Sequence, residues 1–377
     1  MRILVDYRPA LRERTGVGEF VHELVRALAD PADASASDEI VIFTSSWKDR
    51  PSPTLRSEIP AARIVDRRVP VRSLAWAWNN LEFPPVEWLA GPCDVAHSQS
   101  PMLIPSSRAA QVVTIHDLDF LRHPENVEAE IRRDYPRLAR AHARRAEAVI
   151  VSSQYAAGEV TRELALPASR VHVCPPGSPT WAPAVAQRQA ASRGRRILFM
   201  GTLGLRKNVG TLLEAYARLR ARVANAPPLT LAGHTTPASA RWEARAGEPP
   251  LAGHVEITGY VNEARRIELF ADACMLVLPS YEEGFGLPVL EAMACGVPVV
   301  ISSRGSLPEV AGPAANPVEP DDADGLMSRM QALLNPDTAR EASRKGREQA
   351  AHYSWRACAA AARGAYRAAR EAHAGRR

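Results

Sequence analysis

The sequence predicts an α/β protein of two domains, each a parallel sheet with helices on both faces, with a cleft between them. Three observations predict it. At 377 residues the chain is long for one domain and suits two. Short apolar runs alternate with amphipathic stretches in both halves, the rhythm of βαβ units. Between the halves, "TWAPAVAQRQAASRGRR" (180–196) is polar, small and interrupted by prolines, which suits a linker. The expected division is a first domain at 1–180, a linker at 181–195 and a second domain at 196–354. An Ala/Arg-rich helix closes the chain at 355–377.

In the first half, "RILVDY" (2–7) is an apolar run fit for a buried strand. A loop with Gly16 and Gly18 follows. "EFVHELVRALAD" (19–30) then puts Phe20, Leu24, Ala27 and Leu28 on one helical face. Further strands are expected at 39–44, 94–98, 111–117, 148–153 and 170–176. In the second half, strands are expected at 196–202, 229–233, 255–260, 274–280 and 298–302. Helices fit 209–223, 262–273 and 288–295. No repeat of domain-building length is visible.

Composition narrows the class. Hydrophobic residues make up 46% and charged residues 24%, ordinary for a globular protein. The five cysteines are scattered without metal or disulfide spacing, which points to reduced thiols. The N-terminus reads straight into a strand, and no run is long and apolar enough to span a membrane. A cytoplasmic location is expected. The net charge of +5 favours anionic partners, but no nucleic-acid-binding signature is present, and no nucleic-acid partner is expected. Of 47 basic residues only Lys48, Lys207 and Lys345 are lysine, so Lys207 beside Arg206 stands out.

The chemistry-bearing stretches all follow predicted strands, where open α/β sheets bind ligands. "YEEGFGLPVLEAMACGVPVV" (281–300) is a strand-end loop running into a helix. Pro288 suits the first turn and Gly296 the left-handed stop. Gly284 and Gly286 let backbone approach a ligand, and the helix N-terminus suits phosphate. Glu283 falls in the loop and Glu291 in the first helical turn. Taken alone, two carboxylates fit a hydrolase pair, a metal site or a solvated helix face. "GTLGLRKNVGTLLEAY" (201–216) sets Arg206 and Lys207 before a helix, two cations able to neutralise a diphosphate. "VVTIHDLDFLRHPE" (112–125) puts His116 and Asp117 at a strand end. Asp117-Leu118-Asp119 is too short a pattern to carry a metal site. In "RTGVGEF" (14–20), Gly16-x-Gly18 lacks the third glycine of a dinucleotide loop.

Together these strings resemble the retaining GT-B glycosyltransferases of family 4, in their mannosyltransferase-like branch. The match is carried by E-G-F-G-L-P-x-L-E-A-M-A-C-G-x-P-V-V with its E-x7-E spacing, by the R-K-N stretch and by T-I-H-D-L-x-F followed by H-P. The resemblance implies a nucleoside-diphosphate-sugar donor, GDP-mannose favoured, and a glycan or lipid-linked acceptor. It implies no required metal or other cofactor. Glu291 would hold the ribose diol and Glu283 the hydroxyls of the transferred sugar. Backbone N–H groups around Phe285, Gly286 and Leu287 would touch sugar or phosphate. Arg206 and Lys207 would bind the pyrophosphate, Val261 would lie near the base, and His116 would approach the sugar from the first domain. Gly16 and Gly18 would approach phosphate or acceptor. The closing helix would cross back to the first domain. The rival readings are a glycoside hydrolase using the two glutamates and a non-catalytic nucleotide-sugar-binding subunit.

Two segments bear on the acceptor. "EAEIRRDYPRLARAHARRAEA" (128–148) sets Ile131, Tyr135, Leu138 and His142 in a stripe beside a basic face that could meet anionic lipid. A core-packed helix is the preferred reading, with peripheral contact at the inner membrane face as the alternative. "SLAWAWNNLEFPPVEWL" (73–89) carries Trp76, Trp78 and Trp88, for which packing within the domain is preferred to sugar stacking or membrane contact.

Overall fold

The computed structural model describes the chain except residues 12, 13, 15, 33–37, 125–128, 192, 193 and 377, and the side chains of 129–134 and 191. It divides into two units: residues 1–177 with 354–377, and residues 178–353.

The first unit holds a seven-stranded parallel sheet. Its strands are β1 (Arg2–Asp6), β2 (Glu39–Ser45), β3 (Arg63–Arg67), β4 (Val95–Ser98), β5 (Ala110–Thr114), β6 (Ala148–Val151) and β7 (Val171–Val173), in the order β3-β2-β1-β4-β5-β6-β7. The order reverses between β1 and β4, and there the ends of neighbouring crossovers diverge and leave a crevice. Ile3, Val5, Ile40, Ile42 and Val112 pack on one face of the sheet against helix Val17–Leu28 and helix Trp355–Ala374. Leu4, Val41, Phe43 and Ala96 pack on the other face against helices Val71–Leu81 and Val86–Ala90. Burial of each such side chain is worth about 1.5–3 kcal/mol.

The closing helix is therefore part of the first unit's core. Ser354 Oγ caps it by accepting from Ala357 N–H at 3.2 Å. Trp355, Cys358, Ala362, Tyr366 and Ala369 are buried against the first sheet. Arg363, 2% exposed, donates to the Leu28 carbonyl at 2.8 Å and faces Asp38, which also holds the terminal amine.

The second unit holds a five-stranded parallel sheet of β8 (Arg196–Met200), β9 (Leu229–Ala232), β10 (Val255–Gly259), β11 (Ala273–Leu278) and β12 (Val299–Ile301), in the order β10-β9-β8-β11-β12. Its switch point lies between β8 and β11. Every residue of β11 is buried. Its unbroken apolar run follows from helices covering both faces.

Three sequence expectations differ from the structure. The 181–195 stretch holds a helix, Ala182–Ala191, rather than an extended linker; Ala182 and Val185 are buried in the second unit's core. Its alanines favour helix more than its proline near the start opposes it. Strand β3 was not expected: it is an edge strand with Arg63 and Arg67 exposed, so its apolar signal is weak. Of the three tryptophans at 73–89 only Trp78 is buried; Trp76 and Trp88 are exposed. In the helix Ala129–Arg145, His142 is buried and its Nδ1 accepts from the Leu103 N–H at 3.0 Å, while Arg137, Arg140 and Arg144 are exposed. The side chain of Ile131 in the expected stripe lies outside the described residues.

Candidate functional site

The switch point of the second sheet gathers the strongest candidates. The loop after β8 carries Arg206 and Lys207, and the loop after β11 carries Glu283. Lys207 Nζ donates to Glu283 Oε1 at 2.5 Å, Ser280 Oγ to the same oxygen at 2.7 Å, and Arg206 Nη1 to Oε2 at 3.2 Å. Glu283 is only 6% exposed, which rules out a solvated surface loop. Burial alone would raise its pKa, but Lys207 and Arg206 outweigh burial and bring it from 4.5 to about 2. Two cations against one carboxylate leave one positive charge in excess, a base for an anion site.

Local structure fixes this cluster. Arg206 Nη1 also donates to the Glu282 carbonyl at 2.7 Å, and Tyr281 N–H donates to the Arg206 carbonyl at 2.9 Å, so the two loops are stitched together. Asn208 takes a left-handed conformation, φ 55°, and its side chain donates to the carbonyls of Pro279 at 3.1 Å and Pro320 at 2.7 Å. Ser306 N–H and Oγ both donate to the Glu283 carbonyl, at 3.1 and 3.0 Å. That approach requires Gly305: a Cβ there would lie 2.6 Å from Glu283 N, and its φ of +65° disfavours other residues.

The helix after this loop runs Leu287–Ala294, with Gly286 (φ +92°) at its N-cap and Pro288 in its first turn. Gly296 stops it with φ +74°. Glu291 falls in the second turn, not the first, because the helix begins at Leu287 and has no acidic residue in its first turn. Glu291 is 5% exposed, and Arg266 Nη1 lies 3.2 Å from its Oε1. The Arg266 guanidinium in turn covers the Trp181 ring at 5.5 Å. Phe285 is a core residue, its ring edge-on to Tyr353 at 5.6 Å, so only its backbone is available to a ligand. Gly284 precedes it in the loop. Val261 is half-buried against the same core, next to Asn262, which caps helix Glu263–Ala271.

In the first unit, His116 follows β5. Its ring is edge-on to Phe20 at 5.2 Å, and it bonds the Gln99 backbone. Its Nε2 has no hydrogen-bond partner among the described residues. Burial lowers its pKa to about 4, with Asp117 opposing, so the ring is neutral near pH 7 with an open nitrogen. Asp117 accepts from Asp119 N–H at 3.2 Å, so this D-x-D forms a local turn. Gly16, φ 47°, is the N-cap of helix Val17–Leu28, and Gly18 lies inside its first turn rather than in the preceding loop. His97 is fully buried between Tyr366 and Thr114 and serves packing.

The structure thus unites Arg206, Lys207 and Glu283 and gives Glu291 a separate cationic partner. Ser280, Asn208, Arg266, Gly305 and Ser306 were not singled out as site residues by the sequence. Of these, Asn208 alone stood in a quoted motif, as the last residue of the R-K-N stretch. Among the described residues no group of three or more His, Cys, Asp or Glu stands in a metal-holding arrangement. None of the described helices is long and apolar enough to cross a membrane.

Comparison with known proteins identifies the family. Residues 184–350 match the model described as glycosyl transferases group 1, and residues 14–182 match the one described as glycosyltransferase family 4. The O-antigen chain mannosyltransferase B of Escherichia coli is 30% identical over 97% of this chain and 100% of its own length. The MMP alpha-(1->4)-mannosyltransferase of Mycolicibacterium hassiacum is 32% identical over 58% of this chain and 53% of that protein. Among solved structures, sucrose-phosphate synthase from Thermosynechococcus elongatus superposes with a TM-score of 0.75 at 23% identity, covering 97% of this chain and 98% of that one. WaaG, a glycosyltransferase involved in lipopolysaccharide biosynthesis, gives 0.69 at 17% identity, covering 97% and 98%. With two Rossmann-like units and matches along nearly its whole length, the chain belongs to the family 4, group 1 glycosyltransferases of GT-B fold.

Proposed function

We propose that this glycosyltransferase moves mannose from GDP-mannose to a hydroxyl of a glycan or lipid-linked acceptor in envelope polysaccharide synthesis, with retention of configuration and without a metal. One observation carries the donor half: Lys207 and Arg206 converge on buried Glu283 at a switch point, beside the start of helix Leu287–Ala294. As the sugar–phosphate bond breaks, negative charge grows on the diphosphate. Two cations and a helix N-terminus suit that charge. Glu283, held ionised, accepts hydrogen bonds from sugar hydroxyls near the reacting carbon. Glu291, 3.2 Å from the Arg266 guanidinium, accepts from the ribose diol. Phe285, Gly286 and Leu287 offer backbone N–H groups, and Val261 lies by the base. His116 positions the sugar, and Gly16 and Gly18 lie on the acceptor or phosphate side. The departing phosphate oxygen takes the acceptor's proton, since Glu283 is too tightly paired to serve as a nucleophile.

The mannosyl choice rests on the relatives named as mannosyltransferases. The hydrolase reading fares worse. A hydrolase needs one carboxylic acid with a raised pKa. Glu283 is shifted the opposite way, and Glu291 faces an arginine. The test is a panel of GDP-, UDP- and ADP-sugars scored by heat stabilisation, then by transfer to acceptor with and without a chelator. GDP-mannose is expected to stabilise most, and transfer to survive chelation. Absence of stabilisation by any nucleotide sugar would overturn the proposal.

A further inference from the structure

A buried polar chain in the first unit leads from the closing helix to His116, and packing alone does not call for it. Tyr366 of helix Trp355–Ala374 is fully buried, and its phenol lies 2.8 Å from His97 Nδ1, its one hydrogen-bond partner among the described residues. A buried phenol donates where it finds an acceptor, so Nδ1 accepts. Burial brings the pKa of His97 to about 3, so the ring is neutral near pH 7. Its single proton then sits on Nε2 and is donated to Thr114 Oγ1 at 2.7 Å. Gln99, 1% exposed, follows β4 and continues the chain. With Nδ1 an acceptor, the side-chain amide turns its nitrogen towards it, at 3.1 Å, and its oxygen away. That oxygen has no hydrogen-bond partner among the described residues.

The backbone of Gln99 carries the chain to His116. Their bond favours the protonated ring, so the imidazole donates and the Gln99 carbonyl accepts. His116 Nε2 is unpartnered among the described residues, so the donor is Nδ1. A neutral imidazole has one N–H. With that proton on Nδ1, Nε2 keeps its lone pair and can accept from a hydroxyl. The same helix reaches His116 by an apolar route. Trp355 meets Phe20 with ring centroids 5.8 Å apart, and Phe20 meets the His116 ring edge-on at 5.2 Å. Trp355 and Tyr366 stand about three turns apart on the helix. Ring plane and proton position are thus reached from two separate points of one element.

We propose that helix Trp355–Ala374 positions His116: Tyr366, through His97 and Gln99, holds the proton on Nδ1, and Trp355, through Phe20, holds the ring plane, so that Nε2 is presented as an acceptor to a sugar hydroxyl. Tyr366, His97 and Gln99 are positioning residues that act through His116. The inference rests on the proposed role of His116 in holding the sugar. The test reads the proton directly. Nitrogen-15 NMR of the full chain, labelled in its histidine rings, separates protonated from unprotonated ring nitrogens, and the signals lost in His116→Gln are those of His116. At about pH 7.5 the wild type should show Nδ1 protonated and Nε2 bare. Gln99→Leu and Tyr366→Phe should mix the two tautomers of His116 and lower kcat/KM for sugar transfer about three- to tenfold, the worth of one hydrogen bond. Tyr366→Phe keeps the ring and its packing, so its effect is not one of folding. The heat stabilisation that a nucleotide sugar gives beyond its nucleoside diphosphate should shrink in both variants, while stabilisation by the diphosphate alone stays. In a His116→Ala background neither substitution should cost anything further. Unchanged tautomer and rate in both variants, with His116→Ala impaired, would overturn this inference and leave the role of His116 standing. Equal losses with and without His116 would show a purely structural effect and overturn it too. Full transfer by His116→Ala would overturn both.

Discussion

Replacing Lys207 by methionine removes an ammonium from a buried carboxylate while keeping most of the side-chain volume. Glu283 falls from 4.5 to about 2 in the folded state. At about 1.4 kcal/mol per pH unit, that fall corresponds to about 3 kcal/mol of stability. Arg206, 3.2 Å from Oε2, is untouched by the substitution, so part of the stabilisation should survive. The expected cost is about 2–3 kcal/mol, within the range for losing a buried charge-assisted hydrogen bond. For a unit of this size that lowers Tm by roughly 4–12 °C. Calorimetry on the full chain reads it as a shift in the transition of the 178–353 unit. The sign with pH follows from the lowered pKa. The stabilisation is complete above pH 4.5 and is lost as pH falls towards about 2, so the gap between wild type and variant should narrow on acidification. A cycle with Glu283→Gln isolates the pair. A cost under about 1 kcal/mol, or a coupling near zero, would refute the account of how Glu283 is held.

Gly305→Ala puts a methyl 2.6 Å from Glu283 N at positive φ, and should cost about 1–3 kcal/mol and weaken nucleotide-sugar binding in a titration. Arg266→Met leaves Glu291 buried without its cation; a loss of about 3 kcal/mol is expected by calorimetry, and a neutral result would contradict the pairing. His22, His97 and His116 are lowered to about 4, 3 and 4, chiefly by burial. Their contribution is present above pH 6.5 and lost below it as they are forced to charge. The thermal transition of the first unit should therefore fall between pH 6.5 and 4. His97→Gln should flatten that fall, and an unchanged pH profile would count against it. Because His116 is neutral near pH 7, its titration should leave no inflection in the transfer rate above pH 5.

Periodicity made most of the fold readable. Strands such as "RILFM" and "ACMLVL" are buried on both faces and leave no other interpretation. Strand β3 escaped because an edge strand with arginine at both ends needs no apolar run. The 181–195 stretch misled because proline and small residues signal a loop only where nothing packs on them, and here Val185 finds a core. In the site, residues that touch a ligand sit in local strings, so Arg206, Lys207, Glu283 and Glu291 could be read. Their supports could not. Gly305 reaches Glu283 from a different strand, Arg266 reaches Glu291 from a different helix, and Asn208 ties two loops through carbonyls. Such contacts are products of topology and leave no spacing behind. The exposed tryptophans are a different kind of miss, since composition does not tell which side of a helix faces water.

The helix Trp355–Ala374 completes the core of the first unit although the whole second unit lies between them in the chain. On the ribosome the order of completion is therefore inverted. The second unit is continuous and can close as soon as it emerges, while the first must wait with Phe20, Leu24 and Ile150 uncovered until residues 355–369 have been made. The half of the enzyme translated first is the last to be finished, and it is the half for which nascent-chain protection matters most.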